Sequence, residues 1–359
     1  MDIKGIIPIG GRGTRMQPLT YSTNKHFIPL GNKPLIYYPI ETIVQAGIKD
    51  ILITYNPGQL EYAKPILGNG SKFGAKFTYV LQPKPIGLAN IFQVCEKYVK
   101  NEPFVLHLGD NIFTKGIKKE VDLFLKEKPD GMVTMIKHSQ NFRMGVPYFD
   151  SKGHLVKYVE KPKKPPHSFA VPGLYFLTKN AFKCFTGKGK IIPSERGEFE
   201  IPSVYQWLID NGFKVNVVEY RGKWLDPGKF DDWIVSNKYV LNNMLSLKKF
   251  SGKNSGCKIT GKVKIEKGAK ITNSEIVGPC FIGNNATIIN SRVGPNVSMY
   301  QFCDIEKSTV ENSILLEGSK VISVDKVIRN TIVGRNAVVR GNNGKDINLF
   351  IGDKSEVFF

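Results

Sequence analysis

The chain has 359 residues, of which 41% are hydrophobic and 23% charged, and its formal net charge is +20. That length exceeds a comfortable single core and predicts two domains, while no apolar run approaches the roughly 20 residues that span a bilayer, which excludes a transmembrane helix. The excess charge is spread in proportion to length, +13 over residues 1–245 and +7 over 246–359, which fits small anionic substrates better than a dedicated nucleic-acid surface.

Five scattered cysteines, none in a CxxC pair, argue against a disulfide framework or a zinc site and are expected to be reduced. The sequence passes from Met1-Asp2 straight into a strand pattern without the segments of a signal peptide, so a cytoplasmic location is expected.

The first apolar run, Ile6-Ile7-Pro8-Ile9, reads as a strand emptying into a glycine-rich loop. Gly10, Gly11 and Gly13 remove side chains where backbone must curl, and Thr14-Arg15 add a hydroxyl and a fixed cation, a combination suited to a polyphosphate. The loop fits neither GxxxxGK[ST] nor GxGxxG, and taken alone it is equally compatible with a structural turn. Further runs at 51–55, 77–81, 104–108, 132–136 and 173–177 read as strands, several apolar throughout as buried parallel strands are. Helical spacing at 34–46, 89–99 and 118–125 separates several of them. The alternation predicts an α/β domain with a mostly parallel sheet and a ligand site beyond the carboxyl ends of its strands.

After Leu245 the pattern changes. Aliphatic residues recur at Ile259, Ile265, Ile271, Ile276, Ile282, Ile288, Val293, Met299, Ile305, Val310 and Leu315. The spacing of six, six and five gives a period of about 17 residues, the signature of a stacked β-solenoid. The rhythm slips between Val321 and Ile328 and resumes over 331–339.

Two carboxylates stand out. Asp110 follows the run at 104–108, and Asp226 lies in the turn after Val215–Tyr220. On separate loops at one sheet edge they could hold Mg2+, which takes one or two carboxylates and leaves its other positions to water and phosphate oxygens. Each is also compatible with a turn cap. Glu160-Lys161-Pro162 adds an acid-base pair after a β-like run, and Ser194-Glu-Arg-Gly-Glu198 precedes a helix-like one.

GGRGTRMQPLT at 10–20, Lys25 within NKHFIPL, Lys33-Pro34, Gln82, Gly87-Leu88-Ala89, Leu108-Gly-Asp-Asn111, Glu160-Lys-Pro162, Arg196-Gly-Glu198 and Trp224-Leu-Asp-Pro-Gly228 occur together in that order. In order and spacing they resemble the sugar-1-phosphate nucleotidylyltransferases, over about residues 1–245. The resemblance is nearest to the long-form glucose-1-phosphate thymidylyltransferases, which carry a C-terminal left-handed parallel β-helix. It implies a Rossmann-like nucleotidyltransferase domain over 1–245 and a β-helix over 246–359. It also implies Mg2+ as cofactor, dTTP or UTP and a sugar-1-phosphate as substrates, and a homo-oligomer. By the same resemblance Gly10, Gly11, Gly13 and Thr14 meet the nucleotide, and Arg15 and Lys25 stabilise the triphosphate and departing pyrophosphate. Asp110 and Asp226 hold the metal, with Asp110 also beside the nucleotide. Lys161 contacts the sugar phosphate with support from Arg196, Asn111, Gly145, Glu160 and Gly173 surround the sugar, and Gln82 and Gly87 face the base.

Departures from the family pattern are local. Pro8-Ile9 replaces the usual Leu-Ala, with Ile9 expected beside the nucleotide. Pro227 removes a donor next to Asp226, His26-Phe27 replaces Gln-Leu, and Met144-Gly-Val-Pro147 replaces Phe-Gly-Val-Ala. The competing expectation is a regulatory or scaffold protein that binds nucleotide sugars without turnover, against which the retained Arg15, Lys25, Asp110, Lys161 and Asp226 argue. No histidine follows His167, so the β-helix lacks the general base of hexapeptide acyltransferases and is expected to serve assembly or regulation.

Overall fold

The computed structural model describes residues 3–11, 13–186, 189–254 and 256–341, so the end of the expected C-terminal domain, 342–359, lies outside the described residues. The chain forms two compact units. One comprises residues 1–12 and 36–225, the other 13–35 and 226–359.

The first unit is built on a mixed, Rossmann-like sheet. In chain order its main elements are β1 (Lys4–Pro8), α1 (Tyr37–Gln45), β2 (Asp50–Tyr55), α2 (Leu60–Leu67), β3 (Lys76–Leu81), α3 (Asn90–Val99), β4 (Phe104–His107), α4 (Lys118–Glu127), β5 (Gly131–Lys137), β6 (Leu174–Leu177), α5 (Ile201–Asp210) and β7 (Val215–Glu219). Across the sheet the order runs β5, β6, β4, β1, β2, β3, with β7 and the short strand Phe169–Ala170 both joined to β5. The pairs β1–β2, β1–β4, β2–β3 and β5–β7 are parallel. The strand β6 runs antiparallel to both β4 and β5.

Strands β1, β4 and β6 are buried along their whole length, as expected where a sheet is covered on both faces. Helices α3 and α5 pack their apolar stripes into one cluster with Phe104, Leu106, Tyr175 and Leu177 of the sheet. Because β1, β2, β3 and β4 are mutually parallel, their carboxyl ends lie along one edge, and the antiparallel β6 begins there. The residues at that edge are Ile9-Gly10-Gly11, Asn56, Gln82, Leu108 to Asn111 and Gly173.

In the second unit, residues 257–341 curl into an all-parallel strand region consistent with a left-handed β-helix. One face stacks Ile259, Ile276, Val293, Val310 and Ile328. A second stacks Ile265, Ile282, Met299, Leu315 and Val333. The third stacks Ile271, Ile288, Ile305, Val321 and Val339. These are the positions that the 17-residue period selects. The slip is local to one coil, which is a residue short between Val310 and Leu315 and longer between Val321 and Ile328. Residues 248–254 pair antiparallel with Cys257–Ile265 and so cover the first coil's edge.

A serine ladder runs up one corner. Ser274 Oγ accepts from the Ser291 N–H (3.0 Å), Ser291 Oγ from the Ser308 N–H (3.2 Å), and Ser308 Oγ from the Val324 N–H (3.0 Å). Each of the three hydroxyls also donates to a carbonyl two residues earlier, so a turn that would leave buried amides unpaired is satisfied coil by coil. The five cysteines are buried, and no disulfide joins them among the described residues. Burial pushes the Cys184 and Cys280 thiols up to about 12, which keeps them protonated and unreactive. Among the described residues no helix is long and apolar enough to cross a membrane.

Replacing Ser291 by alanine leaves the Ser308 N–H without its acceptor. The expected cost is about 1–3 kcal/mol, read as a lower urea midpoint in circular dichroism; an unchanged midpoint would show that the ladder contributes nothing.

Candidate functional site

In the first unit, Asn56 organises the glycine-rich loop. Its Oδ1 accepts from the Gly11 N–H (3.1 Å), and its Nδ2 donates to the Gln82 carbonyl (3.1 Å) and to Gln82 Oε1 (3.3 Å). Gln59 Nε2 holds the Gly11 carbonyl (3.1 Å). A Cβ on Gly10 would sit 2.5 Å from Asn56 Oδ1, so this glycine is required by the approach of the asparagine. Ile9, expected beside the nucleotide, is wholly buried and packs as core.

Gln82 is buried at the end of β3. Its two amide protons go to the Gly87 carbonyl (3.2 Å) and Asn90 Oδ1 (3.1 Å). The amide is therefore fixed in orientation, with Oε1 holding one accepted bond from Asn56 and a second lone pair. Gly87, at φ 108°, lies against the Phe199 backbone, where a Cβ would come within 2.4 Å of the carbonyl oxygen.

Beyond β4, Asn111 Nδ2 donates to Asp110 Oδ1 (2.9 Å), and Asn111 Oδ1 accepts from Trp224 Nε1 (2.9 Å). The short antiparallel pair Ile112–Phe113 with Trp224–Leu225 supplies the indole. Its register sets Trp224 opposite Phe113 and Leu225 opposite Ile112. Gly173 completes this cluster: a Cβ there would meet Asn111 Oδ1 at 2.4 Å.

A further group gathers around the pair Gly145–Phe149 and Leu155–Glu160. Gly145 makes room for the Tyr158 phenol, which would lie 2.5 Å from an added Cβ. Burial first, then the neighbouring Tyr175 and Glu160, push the Tyr158 pKa up and keep it neutral. Lys161 leaves the strand at φ 48°, a left-handed conformation costly for a side-chain-bearing residue. Its Nζ pairs with Glu160 Oε1 at 3.2 Å. Arg196 donates to Glu200 Oε1 at 2.7 Å, an oxygen that also accepts from Ser194 Oγ. That bond leads the causes that raise the Arg196 pKa, with the charges of Glu198 and Glu160 adding to it.

The second unit holds the remaining candidates. Gly13, at φ 58°, opens the 3-10 turn Thr14–Met16, and its carbonyl accepts from Thr20 Oγ1 (2.9 Å). A Cβ on Gly13 would meet Thr20 Cγ2 at 2.9 Å and Lys25 Cβ at 3.3 Å. Lys25 opens the turn Lys25–Phe27, capped by Asn24 Oδ1 accepting from the His26 N–H (2.9 Å), and is only 8% exposed. Arg15 is exposed, and its guanidinium lies over Gly228, 3.3 Å from where a Cβ would stand. The exposed Asp226 begins that turn, with the Gly228 N–H donating to its carbonyl (2.7 Å). Arg15 and the Asp226–Gly228 turn are thus neighbours, as are Gly13 and Lys25.

Sequence reasoning missed the carboxamides. Asn56 and Asn90 hold the loop and Gln82, and the available signal was an Asn-Pro-Gly turn directly after an apolar strand. Among the described residues no group of three or more His, Cys, Asp or Glu side chains could hold a metal.

A parallel-edged sheet with a glycine loop, a fixed glutamine and an oriented aspartate at one edge describes a nucleotide-handling enzyme. The chain belongs to the nucleotidyl transferase family, whose model matches residues 4–243. It is 33% identical over 340 residues to a glucose-1-phosphate thymidylyltransferase of Streptomyces griseus, covering 94% of this chain and 93% of the relative. It is 29% identical over 337 residues to a low-salt glycan biosynthesis nucleotidyltransferase of Haloferax volcanii, covering 93% of each. Among solved structures, one described as a glucose-1-phosphate thymidylyltransferase from Bacillus anthracis, in complex with sucrose, matches with TM-score 0.62 and 34% identity. The match covers 69% of this chain and 98% of that one.

His107 gives the site a pH signature. Its Nδ1 bonds the Leu108 carbonyl (2.8 Å), while Nε2 is buried without a hydrogen-bond partner. Burial lowers its pKa to about 4, against smaller opposing effects of the Leu108 carbonyl and Asp110. The unfolded imidazole protonates near 6.5, so the stability it contributes is whole above that pH and is lost as pH falls toward 4, by about 3 kcal/mol at pH 4. Urea unfolding between pH 7 and 4 should show this slope, and His107→Phe should flatten it; equal slopes in both proteins would reject the assignment.

Proposed function

We propose that the protein joins dTTP or UTP to a sugar-1-phosphate, glucose-1-phosphate first among them, releasing pyrophosphate and a nucleotide sugar. The observation that carries the reading is the single sheet edge gathering Gly10-Gly11, Gln82, Asp110-Asn111 and Gly173. The near full-length likeness to glucose-1-phosphate thymidylyltransferases supports the choice of substrates. The family match ending at residue 243 supports assigning the chemistry to residues 1–245 and the β-helix to 246–359. Assembly as a homo-oligomer in the cytoplasm belongs to the same reading.

In the reaction an oxygen of the sugar-1-phosphate attacks the α-phosphorus in line. A bond forms there as the bond to the oxygen bridging the β-phosphorus breaks, and pyrophosphate leaves with the electron pair. Catalysis of such a transfer is positioning plus charge stabilisation. Gly10, Gly11, Gly13 and Thr14 would line the nucleotide, and Arg15 and Lys25 would neutralise the triphosphate and leaving pyrophosphate. Lys161, supported by Arg196, would bind the sugar phosphate. Asn111, Gly145, Glu160 and Gly173 would shape the sugar pocket.

Asp110 and Asp226 would hold Mg2+ by the family resemblance: each offers hard carboxylate oxygens, and Asn111 orients the carboxylate of Asp110. When bound, the ion would neutralise developing charge and align the reactants. The base would lie near Gln82 and Gly87. Both Gln82 protons are committed, so Oε1 is the group left to meet a base. Thymine and uracil present an N3–H donor to it, whereas cytosine presents an acceptor at N3.

Asp110→Asn and Asp226→Asn should each lower kcat/KM by about 100-fold or more in a pyrophosphate-release assay with glucose-1-phosphate and Mg2+, without lowering the unfolding midpoint. Full activity of either variant at limiting Mg2+ would remove that residue from the site. In the same assay dTTP and UTP should exceed CTP by roughly 5- to 150-fold in kcat/KM, the range expected for a buried polar mismatch. A preference for CTP or a purine triphosphate would refute the role of Gln82.

A further inference from the structure

The second unit contains a contact whose consequence reaches beyond the β-helix. Residues 29–34 form a tight hairpin, Pro29–Leu30 against Lys33–Pro34, with Gly31 and Asn32 at its tip and Gly31 at φ 64°. Both peptide groups of Gly31 are held from outside the hairpin. Its N–H donates to Asn237 Oδ1 (2.9 Å), on helix α6 (Phe230–Asn243). Its carbonyl accepts from the phenol of Tyr300 (2.9 Å), next to the β-helix strand Val297–Met299.

The two anchors are joined. Asn237 Oδ1 also accepts from Ser298 Oγ (2.8 Å), so one buried carboxamide oxygen ties the hairpin tip to the β-helix. One residue before Leu30, the Pro29 carbonyl accepts from Trp233 Nε1 (3.1 Å). The hairpin leads directly into the turn that presents Lys25: the Ile28 N–H donates to the Lys25 carbonyl (3.1 Å), and the Leu35 N–H donates to the Ile28 carbonyl (3.1 Å). Every link from Tyr300 to Lys25 is therefore a hydrogen bond or a few bonds of backbone.

We propose that the β-helix, through Tyr300, Ser298 and Asn237, positions the Lys25 loop and so sets the rate of the reaction. This rests on the reading of Lys25 as a cation acting on the triphosphate. Tyr300 is a positioning residue, since it touches the hairpin tip and acts through it. Misplacing a stabilising cation by a fraction of an ångström costs rate more than binding, because the charge it meets is largest as pyrophosphate departs.

The test compares two full-length variants. Tyr300→Phe keeps the ring and its packing against Phe281 (centroids 5.9 Å apart), and removes the donor to Gly31. Ser291→Ala weakens the β-helix where the serine ladder runs and touches nothing in the hairpin. Tyr300→Phe should lower kcat by about tenfold while KM for glucose-1-phosphate stays within about twofold, and Ser291→Ala should leave kcat unchanged. Hydrogen exchange followed by mass spectrometry should show faster exchange over residues 25–35 in Tyr300→Phe than in Ser291→Ala. Unchanged kcat in Tyr300→Phe, an equal fall in both variants, or unaltered exchange over 25–35 would each overturn the proposal. An active wild type with an unaffected Tyr300→Phe sinks only this inference. A wild type that releases no pyrophosphate sinks the proposed function instead, and the exchange comparison still decides whether Tyr300 fixes the loop.

Discussion

The loops that carry the charged residues lack regular secondary structure to pair their peptide groups, and asparagine carboxamides do that pairing. A carboxamide both donates and accepts within a short reach, which no ionised side chain does. Asn56 joins the Gly11 N–H to Gln82. Asn111 joins Asp110 to Trp224. Asn237 joins the Gly31 N–H to Ser298. Without its partner the buried Gly31 N–H would be left unsatisfied, at about 1–3 kcal/mol, and the glycine loops would have no reason to keep one shape. The glycines follow from the same constraint. At the sheet edge, Gly10 and Gly173 are points where a carboxamide oxygen comes closer than a Cβ allows.

The β-helix was legible in residue detail because its coils repeat one simple demand, an inward aliphatic on each face every 17 residues. Ile276, Ile282 and Ile288 satisfy it in one coil and Val293, Met299 and Ile305 in the next, all buried. The α/β unit was legible as alternation, and β2, β3 and β4 fall where their apolar runs lie. The direction of β6 was not, since a buried antiparallel strand and a buried parallel one share the same apolar composition.

At the candidate site, residues conspicuous by charge or by missing side chain were legible from the motifs. Their supports were not. The bond from Gly11 to Asn56 spans 45 residues of sequence and that from Gly31 to Asn237 spans 206, and nothing in local spacing signals a partner so distant. Trp224 stood within a quoted motif, yet its bond to Asn111 depends on the antiparallel register of two short strands. The second unit makes the same point on a larger scale. Residues 13–35, which precede most of the first unit in sequence, are compact with the β-helix.

The charged residues proposed for the sugar phosphate show how a strongly basic protein can keep anion sites selective. Lys161 pairs with Glu160 and Arg196 with Glu200, and both cations remain about half exposed. Exposed pairs of this kind contribute about 0–1 kcal/mol, enough to orient a side chain and too little to hold it against a better partner. A phosphate brings up to three acceptor oxygens, and charge-assisted bonds to it are roughly twice as strong as neutral ones. On the proposed reading a dianionic sugar phosphate would displace these carboxylates, whereas a chloride or carboxylate anion would gain little by doing so. On that reading the acidic neighbours would set a threshold for occupancy, while the positive φ of Lys161 fixes the backbone from which its flexible side chain changes partner.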